Sequence, residues 1–241
     1  MKWYIPREHG AWAMLIVPYW TGAMISGFHW YHLLFFVGLF AIYFAQAPLL
    51  TYIRNKKHTD VWPSFSIYLA VGTLFILPFL FHNPGLFWIG LCIFPLFLLN
   101  IYFAKTKRER LFLNDFIAIV ALSSLLLLAY RITEPALTSE AFLFLFINVL
   151  FFTASVFHVK SLIREKKNKQ FHRQSLIYHI VIVLISFAMN WIGAGIAFIF
   201  TLLKTALLPK KYFARPIQIG VIEIINSALF FVIVITVYFV S

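Results

Sequence analysis

Apolar residues fill this chain in long blocks, broken by short clusters of Lys and Arg. Nine blocks can be drawn, at 11–28, 30–53, 64–82, 85–104, 115–131, 141–159, 175–189, 190–207 and 219–240. Most approach the ~20 residues that a helix needs to cross a hydrocarbon core. The pattern predicts an all-α, polytopic transmembrane helical bundle of about nine spans. The seventh and eighth blocks are short and meet at Met189-Asn190-Trp191, as a tight hairpin or as one broken helix. Pro18, Pro48, Pro78 and Pro95 lie inside blocks, where a spanning helix tolerates a kink.

The connectors give the orientation. Of the 20 Lys and Arg, all but Arg131 fall at the N-terminus or in, or at the edge of, the connectors after the second, fourth, sixth and eighth blocks. Cytoplasmic loops collect Lys and Arg, so the N-terminus is expected inside and the C-terminus outside. Fusing the two short blocks would place the last basic connector outside, which favours nine spans. Trp30, Tyr31, Trp88, Tyr130 and Trp191 fit an interfacial aromatic belt.

Composition supports this class. The chain is 62% hydrophobic and 12% charged, against about 45–50% and about 25% for a soluble domain. Residues 1–241 are therefore expected to form a single integral membrane domain. The net charge of +12 does not indicate nucleic acid, because topology and contacts with membrane lipid headgroups account for its placement. Cys92, the one cysteine, has no partner for a disulfide and reads as a small packing residue. The N-terminus is a poor signal peptide, because charges extend to Arg7 and Glu8 and the cleavage site is weak.

Candidate chemistry begins at Arg7-Glu8-His9-Gly10, directly before the first block. Glu8 and His9, beside Arg7, are candidates for a base or metal ligand, or for a structural cap and an ion pair with a basic residue of another loop. Adjacent helical residues diverge by ~100°, so the two would not readily chelate one ion. Gln46 lies inside the second block and needs a partner within the bundle; Arg54 closes that block. Lys107 and Arg108 lead to Asn114 and Asp115, where the carboxylate could cap the fifth helix. His158, Lys160, Arg164 and Glu165 close the sixth block; if the helix continued, 158, 161, 165 and 169 would share a face. Glu223 is an acidic residue inside a block, hence a functional candidate or half of an ion pair with Arg7, Arg54 or Arg164. His29 and His32 have i, i+3 spacing but stand among aromatics, which favours packing. No residue set is assigned to a metal.

Two family resemblances rest on specific stretches. Arg7-Glu8-His9-Gly10-Ala11-Trp12, Arg108-Glu109-Arg110 leading to Asn114-Asp115, and Arg215-Pro216 to Glu223 resemble the YwiC-like family of small bacterial membrane proteins. That resemblance implies an inner-membrane location. More distantly, the span count, the polar connectors and Tyr102 through Lys107-Arg108 are similar to UbiA-type intramembrane prenyltransferases. Those enzymes hold magnesium against a prenyl diphosphate with two aspartate-rich motifs. Here Gln46 to Arg54 contains no acid, and in Ser161 to Lys169 only Arg164-Glu165 matches in character.

The expectation is a cytoplasm-facing polar cavity for an anionic, lipid-linked substrate such as a prenyl diphosphate. Arg7, Gln46, Arg54, Lys107, Arg108, Asn114, Asp115, His158, Lys160 and Arg164 would bind it, with Glu8, His9, Glu165 and Glu223 as candidate catalytic groups. A UbiA-like transferase, a small-solute or ion carrier, and a non-catalytic partner of a membrane complex remain open.

Overall fold

A computed structural model describes residues 2–6, 9–207 and 216–240. Ten α-helices run through them: α1 (His9–Ile25), α2 (Trp30–Arg54), α3 (Trp62–His82), α4 (Pro84–Lys105), α5 (Phe112–Ser123), α6 (Leu125–Thr133), α7 (Ser139–Ile163), α8 (Lys169–Ala188), α9 (Ile192–Leu207) and α10 (Pro216–Val240). A 3₁₀ turn, Thr59–Val61, leads into α3. No strand occurs among the described residues.

Seven elements are long and apolar enough to cross a membrane, with α5 and α6 counted together. The shorter α1 and α9 are also apolar. The chain is therefore a polytopic transmembrane helical bundle, and each sequence block has its helix. Residues 175–207 form two helices, α8 and α9, packed on each other. Asn190 turns the chain between them with φ 60°, a conformation that Asn adopts more readily than most residues. The fifth span is interrupted at Ser124, whose hydroxyl donates to the Val120 carbonyl at 2.7 Å. Such back-bonding to residue i−4 loosens the helical ladder.

Two apolar cores share α1. On one side Leu15, Tyr19 and Ala23 pack with Phe35, Tyr43, Leu86 and Leu125. On the other, Ala13, Val17 and Ile25 join Phe151, Phe152, Phe198 and Phe230. This dual burial explains why α1 is apolar all round. Gly22 brings α1 against α6 so closely that a Cβ there would overlap the Leu126 carbonyl. Gly38 of α2 and Gly72 of α3 make a similar approach, each close to the other's carbonyl. Small residues let helix backbones pack closely in a membrane.

Large apolar side chains such as Leu74, Phe81, Trp88 and Phe94 face outward from α3 and α4, as a lipid-contacting surface requires. Cys92 also faces outward on α4, so it is not the internal packing residue expected. Trp30, Tyr31 and Trp88 are exposed, whereas Tyr130 is 3% exposed and lies 2.9 Å from the Thr138 hydroxyl. It serves the α6–α7 connection rather than an aromatic belt.

Contacts define the two ends of the bundle. At one, Tyr4 donates to Asp60 at 2.6 Å, Arg54 meets Glu109, and Lys160 reaches the Arg110 carbonyl. At the other, Thr133 donates to the Ser26 carbonyl, Tyr238 to the Ile25 carbonyl, and Asn83 to the Arg131 carbonyl. His29 and His32 form a reciprocal cap at the start of α2, and His32 Nε2 lies 3.1 Å from the Ala129 carbonyl. Their spacing serves helix capping.

Candidate functional site

Two neighbouring polar groups form near the C-terminal end of α7. The first joins three connectors. Arg54, at the end of α2, donates through Nε to Glu109 Oε1 at 2.7 Å. Asn114 of α5 donates to the Glu109 carbonyl at 3.0 Å. Lys160 lies 2.5 Å from Asp115 Oδ2 and donates to the Arg110 carbonyl at 3.2 Å. Arg164, one turn further along, donates to that carbonyl at 3.4 Å. Lys160 and Arg164 converge because residues four apart share a helix face.

Asp115 stands in the first turn of α5, but no side chain caps that helix. Its carboxylate turns to Lys160 instead, because a charged partner offers more than another backbone N–H. Helix α7 ends at Ile163 and α8 begins at Lys169, so 158, 161, 165 and 169 do not form a continuous helical face. Glu165 accepts from the Asn168 side chain at 2.8 Å, and Asn168 caps α8. This is a loop-closing role.

Lys107 and Arg108 are exposed in the α4–α5 connector. Lys107 has φ 57°, and the Arg108 N–H donates to the Phe103 carbonyl at 2.9 Å. The backbone at Lys107 thus closes α4 while its side chain faces outward. Gln46 is half-buried on α2, and among the described residues no hydrogen bond joins it to either polar group. Arg7 and Glu8 lie outside the described residues, as does the side chain of His9, the first residue of α1.

The second group lies between four helices. Lys204 of α9 and Glu223 of α10 approach to 2.5 Å, with side chains 9% and 6% exposed. His158 of α7 places Nε2 3.9 Å from the same carboxylate oxygen. His179 of α8 lies 3.2 Å from the Thr205 hydroxyl, and Thr201 donates to Asn226 at 3.4 Å. Each helix supplies a polar stripe at i, i+3 or i+4: Ser155 and His158, Ser175 and His179, Thr201 with Lys204 and Thr205, and Glu223 with Asn226 and Ser227. These stripes face inward because a charge or amide at this depth is costly against lipid.

Glu223 therefore pairs with Lys204 rather than with Arg54 or Arg164; Arg7 lies outside the described residues. Sequence reading placed Lys204 with a basic connector and missed it, along with His179 and Glu109. The periodic Thr201-Lys204-Thr205 stripe within an apolar helix was the available signal.

The magnesium implied by the UbiA-type resemblance finds no fitting ligand set. Among the described residues no group of three or more His, Cys, Asp or Glu could hold a metal. Asp115 and Glu223 are each committed to a lysine.

A family model for YwiC-like protein matches residues 5–130. The chain is 35% identical to the uncharacterised protein YwiC of Bacillus subtilis (strain 168), over 95% of its own length and 96% of that protein's. It is 28% identical to an uncharacterised protein of Haemophilus influenzae, over 96% and 97% of the two lengths. No solved structure matches it. The chain belongs to the YwiC-like family.

Proposed function

We propose that this membrane protein binds an anionic, lipid-linked ligand at the basic end of its bundle, with a prenyl diphosphate as the model ligand. Arg54, Lys107, Arg108 and Arg164 supply the cationic surface, Lys160 lies buried beneath it against Asp115, and Asn114 supplies an amide beside it. The supporting observation is the convergence of Lys160 and Arg164 on the Arg110 carbonyl, in the same connector that carries Lys107 and Arg108 and holds Arg54 through Glu109. Cations there outnumber the carboxylates Glu109, Asp115 and Glu165. A surface of one sign at a membrane boundary concentrates anions.

In this reading the basic end faces the cytoplasm of a bacterial cell, and the protein resides in the inner membrane. The distribution of Lys and Arg supports that orientation. The proposal is one of binding, with neither group transfer nor transport attached to it.

Binding of farnesyl diphosphate to the full chain in lipid nanodiscs tests this reading, by native mass spectrometry with and without magnesium. Saturable binding that weakens with salt, and about tenfold or more in R54Q/R164Q, supports it; each lost charge-assisted contact is worth ~1.5–3 kcal/mol. Absence of binding, or equal binding of uncharged farnesol, overturns it.

A further inference from the structure

We propose that Glu223, Lys204 and His158 form a proton-binding site inside the bundle, where a proton on His158 competes with Lys204 for one carboxylate. The site goes beyond the anionic-ligand reading and uses other side chains. Its ligand is a proton.

Three elements bring the groups together. Lys204 and His158 approach the same oxygen of Glu223, at 2.5 and 3.9 Å. The other oxygen, Oε2, is buried and has no hydrogen-bond partner among the described residues. Nδ2 of Asn226, one turn along α10, is likewise buried without one. The carboxylate can thus accept a second donor without losing an existing hydrogen bond.

The charged and titratable groups acting on this centre come from α7, α8, α9 and α10. Beside burial, which acts most strongly, the groups that act on His158 are Lys204, His179 and His172, and burial and Lys204 act on His179. Lys160 follows two residues after His158 but is held by Asp115. Helix α1, which packs on α7 and α10, has no titratable side chain from Gly10 to Pro18.

With His158 neutral, the lysine and glutamate balance each other. A proton arriving at Nε2 creates an imidazolium, so two cations then share one carboxylate. Little water is available at this depth to screen the extra charge. The imidazolium takes Glu223 as counter-ion, and the Lys204 ammonium loosens on its flexible four-carbon stem. The proton remains on the imidazole, and no other bond is made or broken.

Nuclear magnetic resonance on the full chain in nanodiscs tests the site, with ¹⁵N-labelled histidine and lysine followed through a pH titration. The expected result is that the His158 ring and Lys204 Nζ signals change together, with one midpoint. In Glu223→Gln the lysine signal is expected to stop following the histidine, and in His158→Asn its step is expected to disappear. If Glu223→Gln fails to fold, the wild type and His158→Asn still decide the matter. A His158 signal that does not titrate, a Lys204 signal that stays flat while His158 titrates, or a lysine step that persists in His158→Asn overturns the proposal.

Discussion

Lys160 of α7 and Asp115 of α5 meet at 2.5 Å, and this pair ties the start of the fifth span to the end of the sixth. The lysine side chain is 9% exposed and the aspartate 25%. Taking one partner away strands the other charge in a partly dry setting. D115N is therefore expected to lower stability by about 2–4 kcal/mol, and the double variant D115N/K160M by distinctly less. Unfolding of the purified protein in mixed detergent micelles measures both.

Glu109 acts as a local counter-ion for Arg54. Both side chains are substantially exposed, so the pair contributes at most about 1 kcal/mol to stability. E109Q is expected to unfold close to wild type. Farnesyl diphosphate binding is expected to tighten about 3- to 10-fold, because Arg54 is then released for the ligand. Parallel melting and binding curves check this; unchanged affinity would exclude Arg54 from the site.

Gly22 is expected to tolerate no side chain. G22A pushes against the Leu126 backbone carbonyl, which cannot rotate away, and is expected to cost about 1–3 kcal/mol. G90A is the control, because nothing lies within 4 Å of a Cβ there. It is expected to be neutral or slightly stabilising, since alanine favours helix over glycine by ~1 kcal/mol. Detergent unfolding of the two variants gives the comparison.

The span pattern was legible in the sequence because lipid imposes it on every helix: apolar blocks and basic connectors are visible without a partner in view. Pairings were much less so. Asp115 has a local role available, as a helix cap, and only the approach of α7 shows why its carboxylate turns to Lys160. Lys204 stands at the edge of a block, where a topological role accounts for any lysine. Its true partner, Glu223, lies across a helix interface that linear spacing does not show. The prolines inside the blocks were readable, and each lies within a helix, yet the break at Ser124, where the Val120 carbonyl accepts from both the Ser124 N–H and its hydroxyl, carries no such signal.

The N-terminal segment should respond to alkaline pH. The hydrogen bond from Tyr4 to Asp60 raises the phenol above its ordinary range. A raised folded-state value means that the contact is intact below the unfolded tyrosine value of ~10 and is lost as pH rises through the folded one. The Tyr4 ring signal of ¹³C-tyrosine-labelled protein is expected to stay fixed at neutral pH and to move only above the ordinary tyrosine range, as the phenol ionises. D60N is expected to bring that midpoint down towards the ordinary tyrosine range.

Chemical labelling of single cysteines tests the central claim most directly, namely that one end of the bundle gathers the connectors carrying the basic residues. In a Cys92→Ser background, Lys56→Cys, Thr106→Cys and Lys166→Cys are compared with His29→Cys, His82→Cys and Ala136→Cys, in sealed vesicles of each orientation. The account expects the first three to react with a membrane-impermeant maleimide only from the cytoplasmic face and the other three only from the opposite face. Labelling of Lys56→Cys, Thr106→Cys and Lys166→Cys from different faces would contradict it.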